Sequence, residues 1–481
     1  MLQSKIKYKI DEIQSFCRDQ KKSIDALIEL VSFFDIRRIS RMANVIKAKG
    51  YSFHRLLSIL ILLPYLNQAS IYAFLQSGYS ELSAAEKDAY YRLKNDCRFS
   101  WRKLLKAVVK RFMKVVEDHG EASHGIRCFA MDDTVLPKIG KYIEQIGRVW
   151  DHVTHRYLIG FKMLALGYYD GKSFIPVDFS LHREEGRNKK CPYGLTKSDL
   201  ARQHSKIRPE GSSGEKRVKE TDKNKIDVGI KMLKRASCYL SADYVLADSW
   251  FVCEKLIEAV RSLNQGTMHI LGMMKMAKAK YQYQHKEYTA QQLLGKKKIK
   301  TNRCRKIKSH YKELVVMYKQ VPMKLFFSKI GNSVQWRLIV SSDLTLSYKK
   351  AMEIYQIRWT IEVFFKESKQ YLNLGGCQSN DFDAQIADIT ISMIQYIMLT
   401  VKKRFGDYES KGELFRELEE KVIEYTLAQR LWGVFLEVIV ELLADFNIDL
   451  IEFWQALIHH RKAKAFVYAF MYIDSRSELN C

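Results

Sequence analysis

The chain has 481 residues, 47% hydrophobic, 28% charged and 12% aromatic. That mixture excludes a disordered chain, a collagen-like repeat and a small disulfide scaffold, and the length predicts about three structural units. Lys and Arg outnumber Asp and Glu by 80 to 54, a net charge of +26 that calls for a polyanionic partner, nucleic acid before an anionic membrane. The nine cysteines are scattered without a Cys-x-x-Cys pair, which fits a reducing compartment and offers no zinc-ligand spacing.

Residues 1–120 read as helical. Leu27, Ile28, Leu30 and Val31 share a face, as do Leu104, Leu105, Val108, Val109, Phe112 and Val115. Arg102, Lys103, Lys106, Lys110, Arg111 and Lys114 surround the second stripe, as a solvated face or a DNA-contacting one. The run 56–66 is broken by Ser58 and Pro64. It falls short of the roughly 20 apolar residues that span a bilayer and reads as a buried helix. Residues 81–98 have the length and polarity of a helix-turn-helix region.

The pattern changes at Ile126. Arg127-Cys-Phe-Ala-Met-Asp132-Asp133-Thr134 is a short apolar run that stops at carboxylates. Runs at 157–169 and 173–181 alternate like strands, joined by Asp170-Gly171-Lys172 as a hairpin turn. The polar stretch 183–225 predicts a mobile basic loop. A helix at 226–236, a strand at 244–248 ending in Asp248, a helix at 250–263 and a strand at 269–274 follow. Three strands, helix, strand, helix, strand is the order of the RNase H-like fold, an α/β class. Two of its apolar strands here end in an acid, where ligands collect in open sheets. Residues 276–345 predict a basic β-rich insertion, with Lys296, Lys297, Lys298, Lys300, Arg303, Arg305, Lys306 and Lys308 beside three alternating runs. One long helix is expected over 347–374, and the remainder to 481 is helical and amphipathic.

That long helix carries Tyr355, Arg358, Glu362 and Lys369, at offsets of 3, 7 and 14. On a helix these four fall within about 60° of one another, so one face presents a hydroxyl, a guanidinium, a carboxylate and an ammonium. Taken alone, Arg358 and Glu362 are an i,i+4 pair that a solvated face would also show.

With its neighbours the segment resembles the bacterial DDE transposases of the insertion-sequence-4 group. Their third-acid helix carries Tyr, two residues, Arg, three residues, Glu, six residues, Lys, and this chain matches every position. Ala130-Met-Asp132-Asp133-Thr134 and Ala247-Asp248-Ser249-Trp250-Phe251 look like the segments around the other two acids. Asp132, Asp248 and Glu362 are 116 and 114 positions apart, the second gap having room for the insertion typical of the group. The resemblance covers roughly residues 126–400.

It implies an α/β, RNase H-like catalytic core interrupted by a β-rich insertion, between helical N-terminal and C-terminal regions. Residues 1–120 are then the helical region that binds DNA ends, and 121–275 the first part of the core. Residues 276–345 are the insertion, 346–405 the third-acid helix and its continuation, and 406–481 a possible dimerisation region. Leu436, Ile439, Val440, Leu443 and Phe446 form a stripe in the last region, for a partner or for the chain's own core. The implied activity is cleavage of transposon ends and their joining to target DNA, through a hairpin intermediate. Asp132, Asp248 and Glu362 would hold two Mg²⁺ ions, for which Mn²⁺ can substitute, with Asp132 bridging them. Asp133 is the alternative to Asp132. Tyr355, Arg358 and Lys369 would grip a 5′ phosphate, and Trp336, on the last insertion strand, would stack on a flipped base. The partners implied are terminal inverted repeats, target DNA and a second copy in a synaptic dimer, without a membrane.

Trp250 is a second stacking candidate, more in keeping with packing on the helix after it. Asp151, His152 and His155 read as polar loop residues. Asp178 has no evident partner and reads as structural, while Glu367 could orient Lys369. The absence of a phosphate-cradling glycine loop argues against ATP or GTP use. Two other readings remain: an RNase H-like metal-dependent nuclease without strand transfer, and a non-catalytic DNA-binding relic. The N-terminus shows no signal-peptide pattern, and a bacterial, cytoplasmic, nucleoid-associated protein is expected.

Overall fold

Five strands form the centre of one mixed sheet. The computed structural model describes Ile39 and residues 50–419 other than 78, 79, 81, 82, 84, 332, 334, 407 and 408. The stripes at Leu27 to Val31 and at Leu436 to Phe446 lie outside the described residues. Before the sheet come helices α1 (Phe53–Leu62), α2 (Ile71–Gln76), α3 (Lys87–Lys94) and α4 (Trp101–Asp118). The expected helix-turn-helix stretch holds α3 alone among its described residues.

The chain divides into two compact units. One comprises Met1–Asp35, Leu62–Ala84 and Gly412–Cys481; in it Tyr65 stacks on Phe415 at 5.1 Å between centroids. The other comprises Ile36–Ile61 and Ala85–Lys411 and contains the whole sheet.

Strands β1 (Cys128–Pro137), β2 (Gly147–Asp151), β3 (Arg156–Tyr169) and β4 (Phe174–His182) run first. β3 pairs antiparallel with β1, β2 and β4. The β3–β4 turn forms where the sequence predicts it. Asp170 Oδ1 accepts from the backbone of Lys172 and Ser173 at 2.9 and 2.7 Å, and Gly171 takes φ +100°, which a side chain would resist. After α5 (Lys197–Ala201), α6 (Ser213–Val218) and α7 (Lys225–Ser237), β5 (Tyr244–Ala247) joins β1 in parallel. α8 (Glu254–Arg261) then leads to β6 (His269–Met274), parallel to β5. The order β4-β3-β1-β5-β6 is that of an RNase H-like core.

The β-rich insertion does not fold apart from this sheet. β7 (Lys280–Tyr283), β8 (Lys286–Thr289), helix α9 (Ala290–Leu294), β9 (Asn302–Cys304), β10 (Ser309–Tyr318), β11 (Val321–Ile330) and β12 (Arg337–Ser341) follow in chain order. β12 pairs antiparallel with β6, and β11, β10, β7 and β8 continue outward, making twelve strands among the described residues.

Three expectations are corrected here. The single helix over 347–374 is two, α10 (Tyr348–Gln356) and α11 (Trp359–Tyr371). Between them the backbone tightens to i,i+3 bonding, Arg358 N–H to Tyr355 O at 3.1 Å and Ile361 N–H to Arg358 O at 3.2 Å. The stretch 183–225 is pinned rather than loose. Arg208 grips both oxygens of Glu144 at 2.6 Å and reaches Asp383 at 3.0 Å, and Arg217 is buried over the Phe179 ring. The helix expected at 250–263 begins at Glu254, because the residues after Asp248 turn back on its carboxylate.

Helix α12 (Phe382–Phe405) is long and apolar enough to cross a membrane, yet 94% of its most apolar stretch is buried in the protein. Its face is used up in packing against α4 and β4.

Candidate active site

Successive side chains of a strand point to opposite faces, and that decides how Asp132 and Asp133 differ. Met131 packs on Gly229 of α7, and Asp133 shares its face: Asp133 Oδ2 meets Lys225 Nζ at 2.5 Å. Asp132 faces the other way, toward α11. Arg358 Nη1 donates to Asp132 Oδ2 at 3.0 Å and Nη2 to Glu362 Oε1 at 2.5 Å. One guanidinium thus joins the first and third acids.

Asp248 arrives by register. Met131 pairs with Ala247 across the parallel β1–β5 ladder, so Asp132 and Asp248 are the next residues on neighbouring strands. β5 ends there as expected, whereas β1 runs on to Pro137, because its pairing with β3 continues past Asp132. Asp248 Oδ1 accepts from the backbone of Trp250 and Phe251 at 2.9 and 3.4 Å.

The electrostatics follow from this crowding. Burial pushes the Asp132 carboxyl up; Arg358 opposes the shift, the like charge of Asp248 adds to it, and the result is about 7. Tyr355 is half-buried, its phenol pushed up to about 12 by desolvation and its ring 5.7 Å from the Arg358 guanidinium. The Tyr355 hydroxyl and Arg358 Nε are buried without a hydrogen-bond partner in good geometry. Lys369 extends along β1, donating to Thr134 Oγ1 at 2.7 Å and to Val135 O at 2.9 Å, and burial lowers its ammonium's pKa.

Trp336 lies immediately before β12, not on it, and is partly buried. Leu338 pairs with Met274, and Gly272 pairs with Ala247, so Trp336 enters the sheet from the end that carries Asp248. Trp250 stands in the turn before α8. Its ring is 42% exposed, with Lys225 Nζ 3.9 Å from its centroid and Phe251 edge-on at 5.0 Å. Trp359, one residue past Arg358, is 61% exposed. Sequence reasoning passed over it because a continuous helix gives an exposed aromatic no distinction.

Other expectations resolve away from this cluster. Asp178 has partners after all: Arg102 at 2.8 Å, Arg235 at 2.7 Å and Arg217 at 4.0 Å. Glu367 pairs with Lys411 at 3.6 Å instead of orienting Lys369. Asp151 caps the β2–β3 turn through Thr154 Oγ1 at 2.6 Å.

Asp132, Asp248 and Glu362 offer only hard oxygen donors, the set that Mg²⁺ and Mn²⁺ prefer. Among the described residues no three His, Cys, Asp or Glu side chains converge closely enough to hold an ion in this conformation. The reason is visible: Arg358 stands between two of the acids and draws each onto its own nitrogen. Desolvation and the like charge of Asp248 raise Asp132, and a divalent ion would offset both, so the donors fit such an ion once Arg358 cedes its place.

A family model described as DDE superfamily endonuclease matches residues 73–321, just over half of the chain. The matched stretch contains Asp132 and Asp248 and ends before Glu362. No protein with a curated description matches the chain.

Proposed function

The chain belongs to the DDE superfamily endonucleases, and from that membership we propose that it is a cut-and-paste DNA transposase of the insertion-sequence-4 type. As a member of the superfamily it acts on DNA with the help of divalent metal. The finer reading is supported by one observation above others: Arg358, inside the Tyr355–Arg358–Glu362–Lys369 spacing, reaches across to Asp132 on β1 and ties the third-acid helix to the first acid strand.

In this reading Asp132, Asp248 and Glu362 hold two divalent ions, Mg²⁺ or Mn²⁺, with Asp133 outside the set. Such ions, when bound, stabilise the charge that builds on attacking and leaving oxygens at phosphorus. The chain's own groups do the rest. Arg358 exchanges two carboxylates for a phosphate, keeping the bidentate geometry that suits a guanidinium. Tyr355 adds a hydroxyl already desolvated and without a well-aligned hydrogen bond. Lys369 adds a point charge beside Thr134. Trp336 offers an aromatic face for a base leaving the stack, which offsets part of a cost of a few kcal/mol. Water attacks phosphorus at the transposon end and releases a 3′-OH. That 3′-OH attacks the phosphodiester of the opposite strand, expelling the 3′-OH of the flanking DNA and leaving a hairpin. A second water reopens the hairpin and restores the 3′-OH, which then attacks a target phosphodiester and releases a target 3′-OH.

Residues 1–120 bind the terminal repeats and 406–481 pair two copies in the synaptic complex, on the nucleoid in the bacterial cytoplasm. The domain division given by the sequence is part of this proposal.

The test is cleavage of a plasmid carrying the gene's own flanking ends, with Mg²⁺ or Mn²⁺, comparing wild type with Glu362→Ala. End cleavage lost in the variant, with a hairpin band on denaturing gels, supports the pathway. Cleavage without hairpin or joined product leaves a metal-dependent nuclease. Specific end binding without cleavage leaves a non-catalytic DNA-binding protein.

A further inference from the structure

We propose that Lys225 is a positioning residue for Asp248, clamping the turn that orients this acid to the opposite face of β1. The inference rests on reading Asp132, Asp248 and Glu362 as the ion-holding set.

Lys225 opens α7, just after the N-cap Asn224, whose Oδ1 accepts from Ile226 N at 2.8 Å. A cation is misplaced there, since the helix dipole is positive at its N-terminus. Something else must hold the ammonium, and two groups do. Its Nζ meets Asp133 Oδ2 at 2.5 Å and sits 3.9 Å from the centre of the Trp250 ring. The Lys225 and Asp133 side chains are only 12% and 15% exposed, so their ion pair is stronger than a surface equivalent.

Trp250 passes the restraint on. Its ring is held on one face by the ammonium and by the edge contact with buried Phe251. The backbone N–H groups of these two residues are the donors to Asp248 Oδ1. Fixing the indole therefore fixes the turn, and the turn decides which way the carboxylate of Asp248 is presented. The same contacts give a role to the second carboxylate of the Asp132-Asp133 pair. Asp133 faces away from Arg358 and anchors the clamp.

The test uses the full-length protein without DNA, reading the Mn²⁺ dissociation constant by calorimetry and the metal-free thermal midpoint. Lys225→Met is expected to weaken Mn²⁺ binding about tenfold, the low end for a group that orients a metal ligand from behind. Asp133→Asn should weaken it similarly, and the double variant no more than either alone, because both break one clamp. Lys225→Arg, which keeps charge and ring contact, should restore binding. Midpoints of Lys225→Met and Lys225→Arg should agree while their Mn²⁺ affinities differ. Wild-type affinity in Lys225→Met, full additivity in the double variant, or failure of Lys225→Arg to restore binding would overturn the proposal. Loss of all Mn²⁺ binding in Asp133→Asn but not in Lys225→Met would make Asp133 itself a ligand. Mn²⁺ binding indifferent to Asp132→Ala and Glu362→Ala would remove the ion-holding set first, and the clamp with it.

Discussion

Asp132 and Asp178 sit on β1 and β4, the two strands that flank β3 in the core. Burial pushes each carboxyl upward. Around Asp178, Arg102, Arg235 and Arg217 outweigh that penalty and hold the group down at about 2. Around Asp132 there is a single guanidinium, shared with Glu362, and Asp248 adds a like charge; the group rises to about 7. The same residue type in one sheet therefore plays opposite parts. A carboxylate saturated with cations is finished and serves as structure. A carboxylate that is desolvated beside a like charge, with only a shared guanidinium to offset it, is raised instead.

The contrast can be broken in order of effect. Glu362→Ala is expected to drop end cleavage to background in the plasmid assay while leaving the fold intact by circular dichroism. Asp178→Ala should do the reverse, because it strands three buried or half-buried arginines. About 3–5 kcal/mol of stability should be lost in denaturant melts, the scale for breaking a buried charge cluster. A native-like midpoint for Asp178→Ala would show that the cluster is not structural.

Metal should separate the two carboxylates further. At about one hundred times its Kd, Mg²⁺ or Mn²⁺ should stabilise the wild type by about 2.7 kcal/mol. Asp132→Asn should respond little, and equal responses in the two proteins would remove Asp132 from the site.

The smallest effect concerns pH. The folded-state pKa of Asp132 lies above its unfolded value, so its contribution to stability is present at low pH and lost as pH rises toward about 7. Asp132→Asn has no such loss. In metal-free melts its stability relative to wild type should therefore grow by about 1 kcal/mol between pH 6 and 7 and level off above. A gap that narrows over that interval would mean the carboxyl is stabilised as an anion.

Much of the core was readable in the chain. The strand runs at 157–169 and 173–181 and the turn between them needed only alternation and Asp-Gly chemistry, and β3 and β4 lie there. The helix expected at 226–236 is α7 to within a residue at each end. What failed depended on partners far along the chain. Residues 183–225 looked loose because their charges had no visible mates, yet Arg208 finds Glu144 and Asp383, and Arg217 packs on Phe179. The break at Ile357 and Arg358 has no Pro or Gly to announce it. It divides Tyr355 from Glu362, so the two do not share one ideal helix; each lies beside Arg358 instead.

By itself the sequence indicated the core order of β1, β3, β4, α7, β5 and β6 and the spacing of Tyr355, Arg358, Glu362 and Lys369, but not β2, the two short helices within 183–225 or the break between α10 and α11. The legible parts follow from local periodicity and from covalent distance along the chain. Only the tertiary structure decided which charges meet. A single step along β1 turns Asp133 from Arg358 to Lys225, and parallel register alone sets Asp248 beside Asp132. Whether a buried carboxylate is left needing a cation depends on the cations that folding brings within reach, and those come from segments that the chain's local pattern does not connect.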